Sequence, residues 1–188
     1  MNWFLKMALL FGALVFVLPA QAVQRGLAFG ENARLDELFA QMQSESGEGA
    51  ASAEREALRI FRQSGSAAMD LLLARGYAAI EAEDYQMAVW HFSALIDHAP
   101  EFAEGYNARA VAFFLMGLYG EAIADIEMTL ALNPRNFGAL AGLGAIEEAI
   151  GNPENALKAF KAALALNPNS SDLAESVKRV EDQLFMVH

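Results

Sequence analysis

The sequence predicts an all-α fold, an α-solenoid of three helical hairpins flanked by a degenerate N-terminal hairpin and a C-terminal capping helix. The first observation is a repeat: Pro100, Pro134 and Pro168 are spaced by 34 residues, and each pushes the residue before it out of helical geometry. The second is that the same shift aligns apolar residues at helical spacing without a gap. Together they indicate stacked helix pairs that bury a continuous core.

The chain begins with a segment typical of a secretory signal peptide. A basic residue precedes an apolar run over residues 7–18, and a proline then leads into the small residues Ala20 and Ala22. We therefore predict a signal peptide over residues 1–22 with cleavage before Val23, and an exported, periplasmic protein. The alternative is an uncleaved membrane anchor, but the run is shorter than the roughly 20 residues that span hydrocarbon.

The next segment is predicted to be a flexible leader (residues 23–32) followed by a degenerate helical hairpin (residues 33–66). The hairpin lies off the 34-residue register, and we expect it to pack on the first repeat as a cap. Its two helices are predicted from apolar residues at helical spacing: Leu35, Leu38, Phe39 and Met42, then Ala57, Ile60 and Phe61.

The three repeats are predicted over residues 69–102, 103–136 and 137–170. Each has a small residue on both helices, which lets the two backbones approach closely, and a large residue that wedges between them. The small residues are Gly76, Ala110 and Gly144 on the first helices and Ala88, Ala122 and Ala156 on the second, and the wedges are Phe92, Ile126 and Phe160.

These residues resemble the tetratricopeptide repeat (TPR) family, here of an exported bacterial type. The family pattern runs from an aromatic or Leu through Gly or Ala, Ala and an aromatic to Pro within 34 residues, and the resemblance covers residues 69–168. Ala79, Glu147 and Pro153 depart from it, since aromatic residues are common at those positions. The resemblance implies that the first helices of the repeats line a concave groove that binds a peptide or a helix.

The resemblance also implies which residues face this groove. They give it an apolar floor with acidic margins, so the expected partner is a protein or peptide with apolar and basic residues. A clamp for a C-terminal carboxylate is not supported, because these positions hold one Asn and no basic residue. Alternatively, several of them are buried against the N-terminal hairpin or the last helix. The groove residues are Asp70, Leu73, Tyr77, Ile80, Glu81, Glu104, Asn107, Val111, Phe114, Leu115, Ala141, Ala145 and Glu148.

Two further features complete the repeats. Arg109 and Asp125 stand at facing positions of the second repeat, and we interpret them as a structural salt bridge, with a partner-binding arginine as the alternative. Residues 171–188 are predicted to form the capping helix, because apolar residues from Leu173 to Leu184 make one stripe and charged residues cover the rest.

Composition excludes several classes of protein. The net charge of −11 argues against nucleic-acid binding, and a chain without cysteine has neither disulfides nor thiol catalysis. His91 and His98 are two helical turns apart, too far to share a metal. We expect no cofactor, no metal, no catalytic site and no membrane contact beyond an uncleaved signal. The predicted function is a non-enzymatic periplasmic adaptor or scaffold in envelope assembly or maintenance, and the alternative is a self-associating structural protein, a homo-oligomer.

Overall fold

The computed structural model describes residues 29–186, which form nine α-helices and no strand. The all-α prediction is confirmed, whereas the predicted signal peptide and its cleavage site lie outside the described residues. Between residues 29 and 186 no helix is both long enough and apolar enough to cross a bilayer. In chain order the helices are α1 (Phe29–Ser44), α2 (Glu48–Phe61), α3 (Ala67–Glu81), α4 (Tyr85–His98), α5 (Ala103–Leu115), α6 (Tyr119–Leu132), α7 (Phe137–Ala149), α8 (Pro153–Leu166) and α9 (Ser171–Met186).

The three helix pairs α3–α4, α5–α6 and α7–α8 owe their close packing to small residues. A Cβ atom on Gly76 would lie 2.1 Å from the Phe92 ring, and one on Gly144 would lie 2.7 Å from the Phe160 ring. Cβ atoms do not approach other atoms so closely. Any residue larger than glycine at these two positions would therefore require the neighbouring ring to move. Phe92, Ile126 and Phe160 are all buried, which confirms that they wedge between the paired helices.

The turn within each pair repeats the same backbone conformation. Gly117 and Gly151 follow α5 and α7 with φ angles of 73° and 83°, in the left-handed region that glycine adopts without strain. Glu83 occupies the corresponding position of the first pair with φ 58°. Asn152 directly precedes α8, but its side chain donates to Glu147 and does not cap the helix.

The position of the helical hairpin α1–α2 corrects our prediction. We expected a cap on the first repeat, but the Phe39 and Phe61 rings lie 6.4 Å and 6.1 Å from the Phe137 ring, at the start of α7. α1 also begins at Phe29, so residues 29–32 of the predicted leader are helical. The spacing of apolar residues identified which faces of α1 and α2 are buried. Which surface of the repeats covers those faces depends on contacts between residues far apart in the chain.

The largest apolar cluster therefore joins the two ends of the described chain. It contains the apolar faces of α1 and α2, the start of α7, and the contact between α8 and α9. Of two smaller clusters, one joins the first and second repeats and the other joins the second and third. The buried members of the large cluster are Leu35, Leu38, Phe39, Met42, Ala53, Ala57, Ile60, Phe61, Phe137, Ala156, Phe160, Ala163, Leu173, Val177 and Val180.

Candidate functional site

Glu104, in the first turn of α5, is a buried carboxylate on the helix row predicted to line the groove. It is only 4% exposed, and it accepts hydrogen bonds from Tyr77 Oη at 2.7 Å and Asn107 Nδ2 at 3.0 Å. Burial raises the pKa of Glu104 above its ordinary value, although both hydrogen bonds and the charge of Arg62 act in the opposite direction. Three predicted groove residues thus meet at one point, where a negative charge is held in place by polar neighbours.

Arg62, which directly follows α2, lies against this carboxylate. Its Nε is 3.6 Å from Glu104 Oε1, and its guanidinium carbon lies 5.3 Å from the centroid of the Tyr77 ring. Burial, followed by the negative charge of Glu104, raises the pKa of the Tyr77 phenol, so this side chain remains a neutral hydrogen-bond donor. The chain's own hairpin therefore places a basic residue on the acidic end of the predicted groove.

Polar contacts hold the rest of the hairpin against the third repeat. Arg135, between α6 and α7, pairs with Asp36, and its guanidinium lies 4.9 Å from the centroid of the Phe39 ring. Asn169, between α8 and α9, donates to the carbonyl oxygens of Met42 and Glu45 at 2.7 Å and 2.8 Å. The hairpin thus crosses the repeats where α5 and α7 begin.

The other end of the α5 row is open. Val111 and Leu115 are 42% and 43% exposed, and Phe114 is half-buried with its ring 5.8 Å from that of Tyr119. Isolated exposed apolar residues are ordinary, but these share one helix end beside the covered part of the groove. We call Val111, Phe114 and Leu115 the open patch.

Several predicted groove residues have structural roles instead. Leu73 is buried and Ile80 half-buried in an apolar cluster that includes Ala108 and Ala112 of α5. Asp70 accepts hydrogen bonds from the Ser64 amide and hydroxyl, and so holds the connection from α2 to α3. Leu73 and Ile80 thus pack against the second repeat, whereas the alternative interpretation was burial against the N-terminal hairpin or the last helix.

At the C-terminal end, the α7 row meets the last helix. Ala141 and Ala145 pack against the large apolar cluster, and Glu148 accepts two hydrogen bonds from Arg179 of α9, at 3.0 Å and 2.9 Å. The hydrogen bonds from Arg179 lower the pKa of Glu148. Glu81 of α3, by contrast, is exposed to solvent.

Arg109 and Asp125 form a two-pronged ion pair within the second repeat. The Arg109 Nε and Nη2 atoms donate to the two carboxylate oxygens at 2.7 Å and 2.8 Å, and Nη1 donates to Ser93 of α4 at 3.0 Å. The hydrogen bonds to Asp125 raise the pKa of Arg109. The pair ties α4, α5 and α6 together, which is the geometry of a structural salt bridge.

Sequence reasoning missed the residues that bring the hairpin to the groove: Arg62, Arg135, Phe137 and Asn169. One sequence feature could have indicated this contact: Phe137 is an aromatic residue at a position where the preceding repeats have Ala103 and Met69. Within the described part of the chain, no group of three or more His, Asp or Glu residues is arranged to hold a metal ion.

The comparisons with known proteins agree with this architecture. Residues 137–170 match the family model described as Tetratricopeptide repeat, with the same bounds as the predicted third repeat. A TPR repeat-containing protein of Rhizobium etli is 35% identical to this chain over 162 residues, which is 86% of this chain and 79% of that protein. The chain is a TPR protein. The predicted TPR solenoid is thereby confirmed.

Solved structures similar to this TPR protein include two domains in complexes. The first TPR domain of Spaghetti (RPAP3) bound to the HSP90 peptide SRMEEVD has a TM-score of 0.59 and 23% identity, over 62% of this chain and 92% of that one. The yeast Sti1 TPR2B domain in a complex with pHsp70 has a TM-score of 0.58 and 25% identity, over 63% of this chain and 99% of that one. Since each match covers under two thirds of this TPR protein, other parts of the chain lie outside the shared fold.

Proposed function

We propose that this TPR protein is a non-enzymatic adaptor or scaffold that binds a partner protein or peptide on the concave side of its repeats. One observation carries the proposal: Glu104, Tyr77 and Asn107 form a built acidic site, and a basic residue at the end of an amphipathic helix, Arg62 of the chain itself, already lies in it. The groove therefore has the chemistry to receive a helix of this kind.

The charge of the groove favours a basic and apolar partner. The peptide SRMEEVD, bound by the TPR domain of Spaghetti, carries three carboxylate side chains. Here the chain has a net charge of −11, Glu104 lies in the groove, and Val111 and Leu115 present apolar surface. An amphipathic helix with lysine or arginine complements that surface, whereas an acidic peptide is repelled.

The cellular setting is part of the proposal and is tested separately. We propose export to the periplasm and a role in envelope assembly or maintenance, which rests on the signal-like sequence before Val23. Mass spectrometry of protein purified from the periplasm should find Val23 at the N-terminus. Intact protein recovered only from the cytosol would refute export and leave the groove proposal standing.

Site-specific photo-crosslinking in the native host tests groove binding. A photoreactive residue at Leu115, in the open patch, should give a discrete partner adduct, and the same residue at Glu127, which is exposed on α6, should not. Adding Val111→Glu to the Leu115 probe should reduce the adduct at least fivefold. Because Val111 is 42% exposed, this change should leave the fold intact, which circular dichroism verifies.

The matched control is Glu121→Gln, a change at another exposed position of α6 away from the groove, which should leave the Leu115 adduct unchanged. The proposal fails if Leu115 and Glu127 give the same adducts, or if Val111→Glu changes nothing.

A further inference from the structure

Each helix of the hairpin α1–α2 has the apolar spacing of the corresponding helix of a repeat, although the two sets lie three residues further apart in the chain than those of α3 and α4. The buried residues of α2 follow one another at the same intervals as those of α4, and the apolar face of α1 has the same intervals as that of α3. The large and small members of one contacting pair are exchanged: Leu38 and Ala57 stand where α3–α4 has Gly76 and Phe92. The matching sets are Ala53, Ala57, Ile60 and Phe61 with Ala88, Phe92, Leu95 and Ile96, and Leu35, Leu38, Phe39 and Met42 with Leu73, Gly76, Tyr77 and Ile80.

The connection to α3 also has the length of a connection between repeats. Residues 62–66 join α2 to α3, while residues 99–102 join α4 to α5 and residues 133–136 join α6 to α7. The first connection is one residue longer, which equals the difference in register between α2 and α4. The hairpin therefore has the length and pattern needed to stack on α3–α4 as a preceding repeat.

The surface on which such a repeat would stack is uncovered. Gly105 and Ala139 are buried in the second and third repeats, and a Cβ atom on Gly105 would lie 3.2 Å from Ile96 and 3.5 Å from Leu95 of the preceding helix. Leu71, at the same position in the first repeat, is 50% exposed.

Other residues extend this exposed surface. Ala74 and Ala78 are exposed, although Ala108 and Ala112, one repeat later, are fully buried. We call this surface the end face, and it consists of Leu71, Ala74 and Ala78.

We propose that the hairpin α1–α2 has two binding positions on its own repeats: the groove, as in this structure, and the end face, which it occupies when a partner takes the groove. At the end face Ile60 and Phe61 cover Leu71 as Leu95 and Ile96 cover Gly105. This inference rests on the proposed function, since the partner drives the exchange. The hairpin then regulates the groove, because a partner must displace Arg62 from Glu104.

Apolar packing holds the hairpin in both positions, so a partner can shift the equilibrium between them. The groove position relies on the Phe137 contact and on two ion pairs that are open to water on at least one side. The Arg62 side chain is 57% exposed although Glu104 is buried, and the Asp36 side chain that pairs with Arg135 is 70% exposed, so each pair contributes little. The end-face position would bury the Leu71, Ala74 and Ala78 surfaces that are now in water. Moving the hairpin exchanges one apolar contact for another, so a ligand with different affinity for the two states can change their populations.

Thiol labelling of Leu71→Cys tests the exchange directly. The chain has no cysteine of its own, so the introduced thiol is its sole one. The double variant Arg62→Glu with Arg135→Glu reverses both charges that hold the hairpin at the groove. In the Leu71→Cys background it should slow labelling at least twofold, with no dependence on protein concentration.

The matched control is Arg34→Glu with Arg55→Glu, which makes the same change in net charge but alters ion pairs that lie inside the hairpin. It should leave the labelling rate unchanged. Adding Ala78→Glu to the Arg62→Glu and Arg135→Glu variant should restore fast labelling, because a charge on the end face opposes burial there.

Three results would overturn the proposal. Labelling of Leu71→Cys could stay fast while hydrogen exchange shows that the hairpin has left the groove, or labelling could slow as protein concentration rises, which would make a second copy the occupant. Equal responses in the control variant would also contradict it. None of these results bears on partner crosslinking at Leu115, so this inference and the proposed function can fail independently.

Discussion

Glu104 shows how one residue links stability to binding. Its carboxylate is buried, yet it keeps hydrogen bonds from Tyr77 and Asn107 and faces the Arg62 guanidinium. Buried carboxylates are tolerated when such partners replace water, and the remaining cost of burial appears as a raised pKa. The same arrangement leaves a charged group ready for a basic residue, from the hairpin or from a partner.

The raised pKa of Glu104 predicts the direction of a pH effect. A carboxyl group whose folded pKa exceeds its unfolded value stabilises the fold in its protonated form, and that stability is lost as pH rises through the folded pKa. Starting from the ordinary value of 4.5, stability should therefore fall with rising pH. Glu104→Gln removes the ionisation, so its advantage in unfolding free energy over the wild type should be least near pH 4 and grow toward neutral pH.

Urea unfolding of both proteins at several pH values measures that difference. The exposed Glu81→Gln variant controls for the loss of one charge. A constant difference between Glu104→Gln and the wild type at every pH would show that burial does not govern the titration of Glu104.

The ion pair of Arg109 and Asp125 is a second case in which single residues decide stability. The third repeat has apolar residues at the same two positions. Asp125 is 5% exposed, so Arg109→Ala leaves a buried carboxylate without its charge partner and should destabilise the fold by about 3 kcal/mol. In the third repeat Leu143 and Ala159 occupy the same two positions.

The double variant Arg109→Leu with Asp125→Ala copies that pair and should lie within about 1 kcal/mol of the wild type, because removing both charges removes the desolvation cost. Chemical denaturation of the single and double variants decides the point. If the double variant is as unstable as Arg109→Ala, the arginine contributes mainly through packing and through its hydrogen bond to Ser93.

At the scale of elements, the turn within each helix pair of the repeats holds one residue in the same left-handed conformation. Glu83 adopts the left-handed conformation that Gly117 and Gly151 adopt at the same position. For a residue with a side chain this costs roughly 1–2 kcal/mol, and glycine avoids it at an entropic cost of about 0.5–1 kcal/mol in the unfolded chain.

We therefore expect Glu83→Gly to stabilise the protein slightly, by about 0.5 kcal/mol, and Gly151→Ala to destabilise it by about 1 kcal/mol. Both positions are exposed, so neither change disturbs packing. Thermal unfolding of the two variants measures the effects. Stabilisation by Gly151→Ala would mean that the turn can adopt another conformation.

The elements could be predicted from the sequence because periodicity and small residues record local packing. Gly76 against Phe92, and the 34-residue spacing that places α3 to α8, follow from contacts inside one repeat or between neighbours. The position of the hairpin could not be predicted, since the spacing of its apolar residues does not specify which surface of the repeats covers them. Phe137 and Arg62 select the groove through contacts between residues far apart in the chain.

The candidate site was predictable to a similar degree. The row of residues on α5 was correctly placed on one helix, and its acidic character was evident from Glu104. No pattern in the sequence indicated that Arg62 would lie on this carboxylate, or that Arg179 of α9 would bind Glu148. Both contacts depend on how flanking helices return to the repeats.

At the scale of the whole molecule, the hairpin changes how the solenoid unfolds. In a simple repeat array each unit contacts only its neighbours, so stability is local and the ends fray first. Here Phe137 joins α1 and α2 to α7, and Asn169 ties α1 to the segment before α9. The first and last described helices should therefore unfold together.

Phe137→Ala tests this coupling. It removes a buried ring that contacts Phe39 and Phe61 and should cost about 3 kcal/mol. Hydrogen exchange should show loss of protection in α1–α2 and α7–α9 at the same rate. The control Phe113→Ala removes a half-buried ring from the smaller cluster that joins α5, α6 and α7, and its effect should leave α1–α2 and α9 protected. Protection that falls in α7–α9 while α1–α2 remains protected would mean that the hairpin is a separate folding unit, and that its contact with the groove is not part of the cooperative core.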